Sequence, residues 1–142
     1  MSKNINIKNR KASFEYFFIK DFVAGIELLG SEVKSIINGK VSLNNCFCYF
    51  KENEIYLKGA NISPIGTFPH DPTRDRKLLL KRKEINNLIF DLETGMTVVV
   101  KRIFSNERGK IKVEIALAKG KKNYDKRQSI KERDLKRELR NI

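Results

Sequence analysis

The chain has 142 residues, 40% of them hydrophobic, with a net charge of +13 and a pI near 9.9. That length carries one modest core and excludes a large multidomain enzyme. There is no run of eighteen apolar residues and no apolar leader core in Met1 to Ala12, so the expectation is a soluble, cytoplasmic protein with no membrane span, whose polyanionic partner could be RNA, DNA or an anionic membrane surface.

So basic a chain calls for a polyanionic partner, because cations that neutralise phosphates release counterions. The charge is also unevenly placed. Residues 1–12 carry +4 with no acid, residues 119–142 carry 10 bases against 4 acids, and the residues between them carry only +3. A compositional drift toward lysine would spread evenly, so concentration at the ends points to binding.

In chain order, Asn9, Arg10 and Lys11 precede the first apolar run. Phe14 to Leu29, interrupted only by Gly25, predicts a long strand bent at the glycine. Ser31 as N-cap, Glu32 in the first turn, Val33, Ile36 and Ile37 at helical spacing and Gly39 as a stop predict a short amphipathic helix. Residues 46–51 and 54–58 predict a hairpin turning at Glu52 and Asn53. Cys46 and Cys48 share one face of that strand and read as small buried hydrophobes rather than a disulfide or half a metal site.

Ser63 to Arg76 holds Pro64, Pro69 and Pro72 and predicts a long irregular connection of the kind that often carries function. A second helix is expected over residues 83–93, from Ile85, Leu88, Ile89 and Leu92 before Gly95, with Lys77 to Lys83 as its basic lead-in. Met96 to Phe104 and Lys110 to Ala118 predict a second hairpin. Its latter strand alternates Ile111, Val113, Ile115 and Leu117 with Lys110, Lys112 and Glu114, one face in the core and the other wet.

Strands joined through two or three helices in so short a chain suggest a mainly β fold, an OB-like closed β-barrel over residues 1–120. Residues 121–142 differ. From Ser129 onward only Ile130, Leu135, Leu139 and Ile142 are apolar, too few to hold a helix in isolation. Pairs such as Glu132 with Lys136 favour a helix once a surface is offered, so the tail is expected to be disordered when free and helical when bound.

Catalytic constellations are missing. The single His70 has no nucleophile motif beside it, there is no Walker loop, and Gly109 and Gly120 stand too far apart to cradle a phosphate. Asp71 and Asp75 raise the thought of a metal-dependent nuclease, but Arg74 and Arg76 beside them make a solvated ion-pair cluster the better reading. No catalytic residue, metal or cofactor is expected. Arg74, Arg76 and Lys77, on a proline-stiffened turn ahead of Leu78 to Leu80, are candidate phosphate grips. Asn9, Arg10, Lys11, Lys34, Lys112 and Lys119 complete the candidate RNA-binding set.

Six motifs then stand in one order: Asn9-Arg-Lys-Ala12, Gly30-Ser-Glu-Val-Lys-Ser35, Asp71-Pro-Thr-Arg74, Arg76-Lys-Leu-Leu-Leu80, Lys112-Val-Glu-Ile115 and Gly120-Lys-Lys-Asn-Tyr-Asp-Lys-Arg127. In these the chain resembles the SsrA-binding protein (small protein B) family over nearly its whole length. The resemblance implies a monomeric OB-like barrel that clasps the tRNA-like domain of tmRNA (SsrA RNA). It also implies delivery with elongation factor Tu to a stalled 70S ribosome, where the tail meets rRNA of the decoding centre in the vacant mRNA path. Asn9, Arg10, Lys11, Leu79 and Lys112 match the family's tmRNA-binding positions. Gly120, Lys121, Lys122, Asp125, Lys126 and Arg127 match its ribosome-facing motif, with Tyr124 placed to stack on an rRNA base. One departure is plain: Val23-Ala24-Gly25 stands where the family usually has Glu-Ala-Gly. The alternative is a general OB-type RNA-binding or ribosomal protein.

Overall fold

β-Branched and aromatic residues crowd the stretches that pair, and in the computed structural model nearly all of them enter one sheet. The structure describes residues 4–44, 46–66, 70–122, 126–128, 130, 131 and 133. The elements are β1 (Asn6–Lys8), α1 (Arg10–Glu15), β2 (Tyr16–Ile26), α2 (Gly30–Ile37), β3 (Val41–Ser42), β4 (Phe47–Lys51), β5 (Glu54–Lys58), β6 (Asn61–Ile62), β7 (Arg76–Leu79), α3 (Arg82–Leu92), β8 (Thr97–Ser105) and β9 (Ile111–Gly120). Seven strands pair in the order β1-β8-β9-β2-β7-β5-β4, and β3 pairs with β6 apart from them. Every pairing is antiparallel.

The fold is therefore mainly β with flanking helices. β4 curls round to lie against β8. No hydrogen-bonded ladder among the described residues joins β4 to β1, so the sheet is open at the seam where a closed barrel would be sealed.

One face of the sheet and the inner sides of α2 and α3 bury Ala24, Ile36, Ile55, Leu57, Leu78, Ile85, Leu88, Val100, Val113 and Ile115 in a single core. The β4–β5 hairpin turns at Glu52 (φ 53°) and Asn53 (φ 61°), both left-handed, the twist that suits a two-residue hairpin loop. Cys48 is buried, Cys46 is partly so, and both thiols are free; burial pushes the Cys46 thiol up to about 12, so it stays protonated.

Four expectations need correction. Residues 10–15 form a helix rather than the approach to a strand, and Asn6–Lys8 add an edge strand. The N-cap of α2 is Leu29, whose N–H donates to Glu32 Oε1 at 2.8 Å, so Ser31 lies inside the helix. Arg76–Leu79 leaves the loop and pairs between β5 and β2. The outer face of the second hairpin is wet only at one end. Farther along, Val99, Ala116 and Ala118 are sealed by Ala12 of α1 with Tyr16 and Phe18.

In the tail, the described residues 126–128, 130, 131 and 133 are helical. Tyr124 and Asp125 of the expected ribosome-facing motif, and Leu135, Leu139 and Ile142, lie outside the described residues. No helix among the described residues is long and apolar enough to cross a membrane.

Candidate RNA interface

Asn9 sets the geometry of α1. Its Oδ1 accepts from the Ala12 N–H at 3.4 Å, its Nδ2 donates to the Val100 carbonyl at 2.9 Å, and its own N–H donates to the Lys101 carbonyl at 2.8 Å. With 7% exposure it is a cap and a pin to β8 rather than an RNA contact. What it positions is outside: Arg10 and Lys11 stand exposed on the first turn of the helix.

Antiparallel register then assembles a row across five strands. Asn6 pairs with Phe104, Phe104 with Lys112, Lys112 with Gly25, and Gly25 with Leu79. Directly paired residues point to the same face, so Lys112 and Leu79, far apart in sequence, lie on one surface. Gly25 is the gap between them. A Cβ there would stand 3.2 Å from Leu79 Cβ, closer than side-chain carbons normally come. Leu79 is 47% exposed while its neighbour Leu78 is fully buried, as strand alternation requires. Lys77 shares the face of Leu79 and lies opposite Tyr56, whose ring stacks on Tyr49 at 5.4 Å.

In the adjoining row Lys8 pairs with Arg102, Arg102 with Glu114 and Glu114 with Val23. Val23 is 54% exposed. Val23 brings no charge to this row, but the carboxylate of Glu114 is directly across the ladder.

The proline-rich loop does not present its arginines as expected. Arg76 is fully buried: Nε donates to Glu32 Oε2 at 2.6 Å, Nη1 to the Arg74 and Ala60 carbonyls at 2.9 and 3.2 Å, and Nη2 to the Pro72 carbonyl at 3.2 Å. Its expected role as an RNA grip is corrected to a structural one. Arg74 is half-buried and donates to the other oxygen of Glu32 at 2.6 Å. Burial raises the Glu32 carboxyl, but bonds from Arg74, the Leu29 N–H and Arg76 outweigh it and hold the group below the ordinary carboxylate range.

His70 belongs to the same clamp. The Ile62 carbonyl 2.7 Å from Nε2 can only accept, so Nε2–H donates to it, and Nδ1 lies 2.9 Å from the Ser31 hydroxyl. Asp71 accepts from the Thr73 N–H at 3.0 Å and Asp75 from the Tyr49 hydroxyl at 2.8 Å, so the two carboxylates serve separate turns. Among the described residues no three His, Cys, Asp or Glu side chains gather as a metal site would need.

Of the remaining candidates, Lys34 is exposed on α2, and alternation sends Lys119 to the face opposite Lys112. Gly120 ends β9 opposite Tyr16. Lys121 ties the start of the tail to α1, its N–H donating to the Glu15 carbonyl at 2.8 Å and its Nζ to the Ser13 carbonyl at 3.2 Å. Lys122 and Arg127 are exposed and Lys126 is partly buried. The sequence reading missed Gly25 as a member of the surface and Glu32 as the anchor of both loop arginines. An acid and two arginines inside shared motifs were the only signal for the second.

A family model described as SmpB protein matches residues 6–142. The SsrA-binding protein of Cytophaga hutchinsonii is 50% identical over 144 residues, covering 99% of this chain and 94% of that one. The SsrA-binding protein of Bacteroides thetaiotaomicron is 46% identical, with 96% and 93% covered. The one from a Synechococcus strain is 48% identical, with 94% and 89% covered. A solved chain reported under the heading "tmRNA-SmpB: a journey to the center of the bacterial ribosome" has a TM-score of 0.69 and 37% identity, covering 88% of this chain and 94% of that chain. The chain belongs to the SmpB protein family.

Proposed function

We propose that this protein binds the tRNA-like domain of tmRNA and carries it, with elongation factor Tu, to stalled ribosomes for trans-translation, acting as a cytoplasmic monomer without catalysis. The observation that carries this reading is the cross-strand row that unites Lys112, Gly25 and Leu79, with Arg10 and Lys11 displayed beside β8. Phosphate contacts from such cations set register on an RNA, and an exposed apolar side chain such as Leu79 gives an unstacked loop nucleotide a surface to pack on. The sheet acts as an OB-like barrel whose seam is β4 against β8. Residues 1–120 hold the RNA, and residues 121–142 reach the ribosome through Lys121, Lys122, Tyr124, Asp125, Lys126 and Arg127.

Arg10→Ala combined with Lys112→Ala tests the surface, since both side chains lie outside the core. Filter binding of the tRNA-like RNA at several salt concentrations should show weaker binding. Each lost phosphate contact should flatten the salt slope by about 0.7 to 0.9. Wild-type affinity and slope in the double variant would contradict the assignment.

A further inference from the structure

The β8 ladder slips between Val100 and Arg102. In an unbroken strand Lys101 and Arg102 would face opposite ways, but the extra residue lets both reach the outer face. Both meet one carboxylate there: Lys101 Nζ is 3.4 Å and Arg102 Nε 3.5 Å from Glu114 Oε1. Lys101 also lies 3.1 Å from Asp21 and 4.8 Å from the centre of the Phe18 ring, and Arg102 stacks over Phe104 at 4.2 Å. Together with Lys8 of β1 and Arg10 of α1, these cations line a cleft between α1 and the sheet, and Glu114 is the one acid on its wall among the described residues.

Four cations converging from three elements repel one another. One lining carboxylate, with Asp21 at the margin, offsets only part of that repulsion. A phosphate, with several acceptor oxygens, relieves the remainder and suits the fixed fork of an arginine. The cleft also continues the candidate interface, because Glu114 is paired with Arg102 and stands two residues along β9 from Lys112.

We propose that this cleft seats a backbone phosphate of the bound RNA between Arg10 and Arg102, flanked by Lys8 and Lys101. Glu114 is the positioning residue that holds Lys101 and Arg102 together before RNA arrives. The inference rests on the RNA-binding reading above and extends its surface to β1 and the β8 bulge.

The test is a salt series of filter binding with the full chain and the tRNA-like RNA, comparing wild type with Lys101→Gln/Arg102→Gln and with the charge-preserving Lys101→Arg/Arg102→Lys. The neutral variant should lose about 0.7 to 0.9 from the slope, the worth of the one phosphate seated there, while the charge-preserving one keeps the wild-type slope. If the neutral pair does not fold, Arg102→Gln alone should lose about half as much. A wild-type slope in the neutral variants overturns the cleft, and if Lys112→Ala still weakens binding, the broader reading survives. No RNA affinity in wild type would remove both. Inorganic phosphate separates the RNA backbone from a free anion as the source. It should shift the melting temperature of wild type and neutral variant equally, and a shift confined to wild type would reassign the cleft to free phosphate and overturn the proposal.

Discussion

Glu32 and Arg76 have no exposed side-chain surface, and an isolated charge in such a place is untenable. The pair survives because the carboxylate takes 2.6 Å bonds from both Arg74 and Arg76, while Arg76 spends its other N–H groups on three carbonyls. Together they fasten α2 to the proline loop and to β7, the strand that presents Leu79. Glu32→Gln leaves Arg76 buried without its counter-charge and should cost about 3–5 kcal/mol in urea unfolding at neutral pH. The pH dependence follows from the depressed carboxyl. Its stabilisation is fully present above the ordinary value near 4.3 and is lost as pH falls through the lower folded value. The stabilities of wild type and Glu32→Gln should therefore converge in strong acid, and a gap that stays constant however far the pH is lowered would show that ionised Glu32 is not what holds the clamp.

At the scale of elements, legibility followed periodicity. β9 could be read from Val113, Ile115 and Leu117, and α3 from Ile85 and Leu88, because each repeats its apolar residue over a full span. α1 could not: six residues with one buried alanine carry no period, and the helix exists because Asn9 caps it and Ala12 seals Val99, Ala116 and Ala118. β7 was hidden because Arg76 and Lys77 follow a proline-rich loop and resemble solvent residues until Glu32 supplies a buried partner. The β8 bulge leaves no local signal, so the cleft around Lys101 and Arg102 was not readable at all. Half of the candidate surface was legible through its motifs, namely Arg10, Lys11, Leu79 and Lys112, while Gly25 needed the register to explain it. β9 is complete at Gly120, so ending the chain there should preserve RNA affinity within about twofold while abolishing tagging of stalled nascent chains, because phosphate contacts on the sheet are untouched. Tagging at the wild-type level by the truncated protein would remove the tail from the mechanism.

For the molecule as a whole, the lopsided charge and the fold tell one story. Among the described residues, Arg10 and Lys11 are held beside β8 by the Asn9 pin, and Lys121, just past the end of the sheet at Gly120, is fastened to Glu15 and Ser13. Such an object should choose one structured RNA over bulk RNA, because cations held in fixed rows reward one shape, whereas a loose cationic tail binds any polyanion. The direct measurement is the identity of the RNA recovered with the full-length protein from bacterial cells at physiological salt, alongside the Arg10→Ala/Lys112→Ala variant. tmRNA should dominate the wild-type sample and be depleted in the variant. A recovered pool of mixed RNA or rRNA, unchanged by the two substitutions, would contradict it.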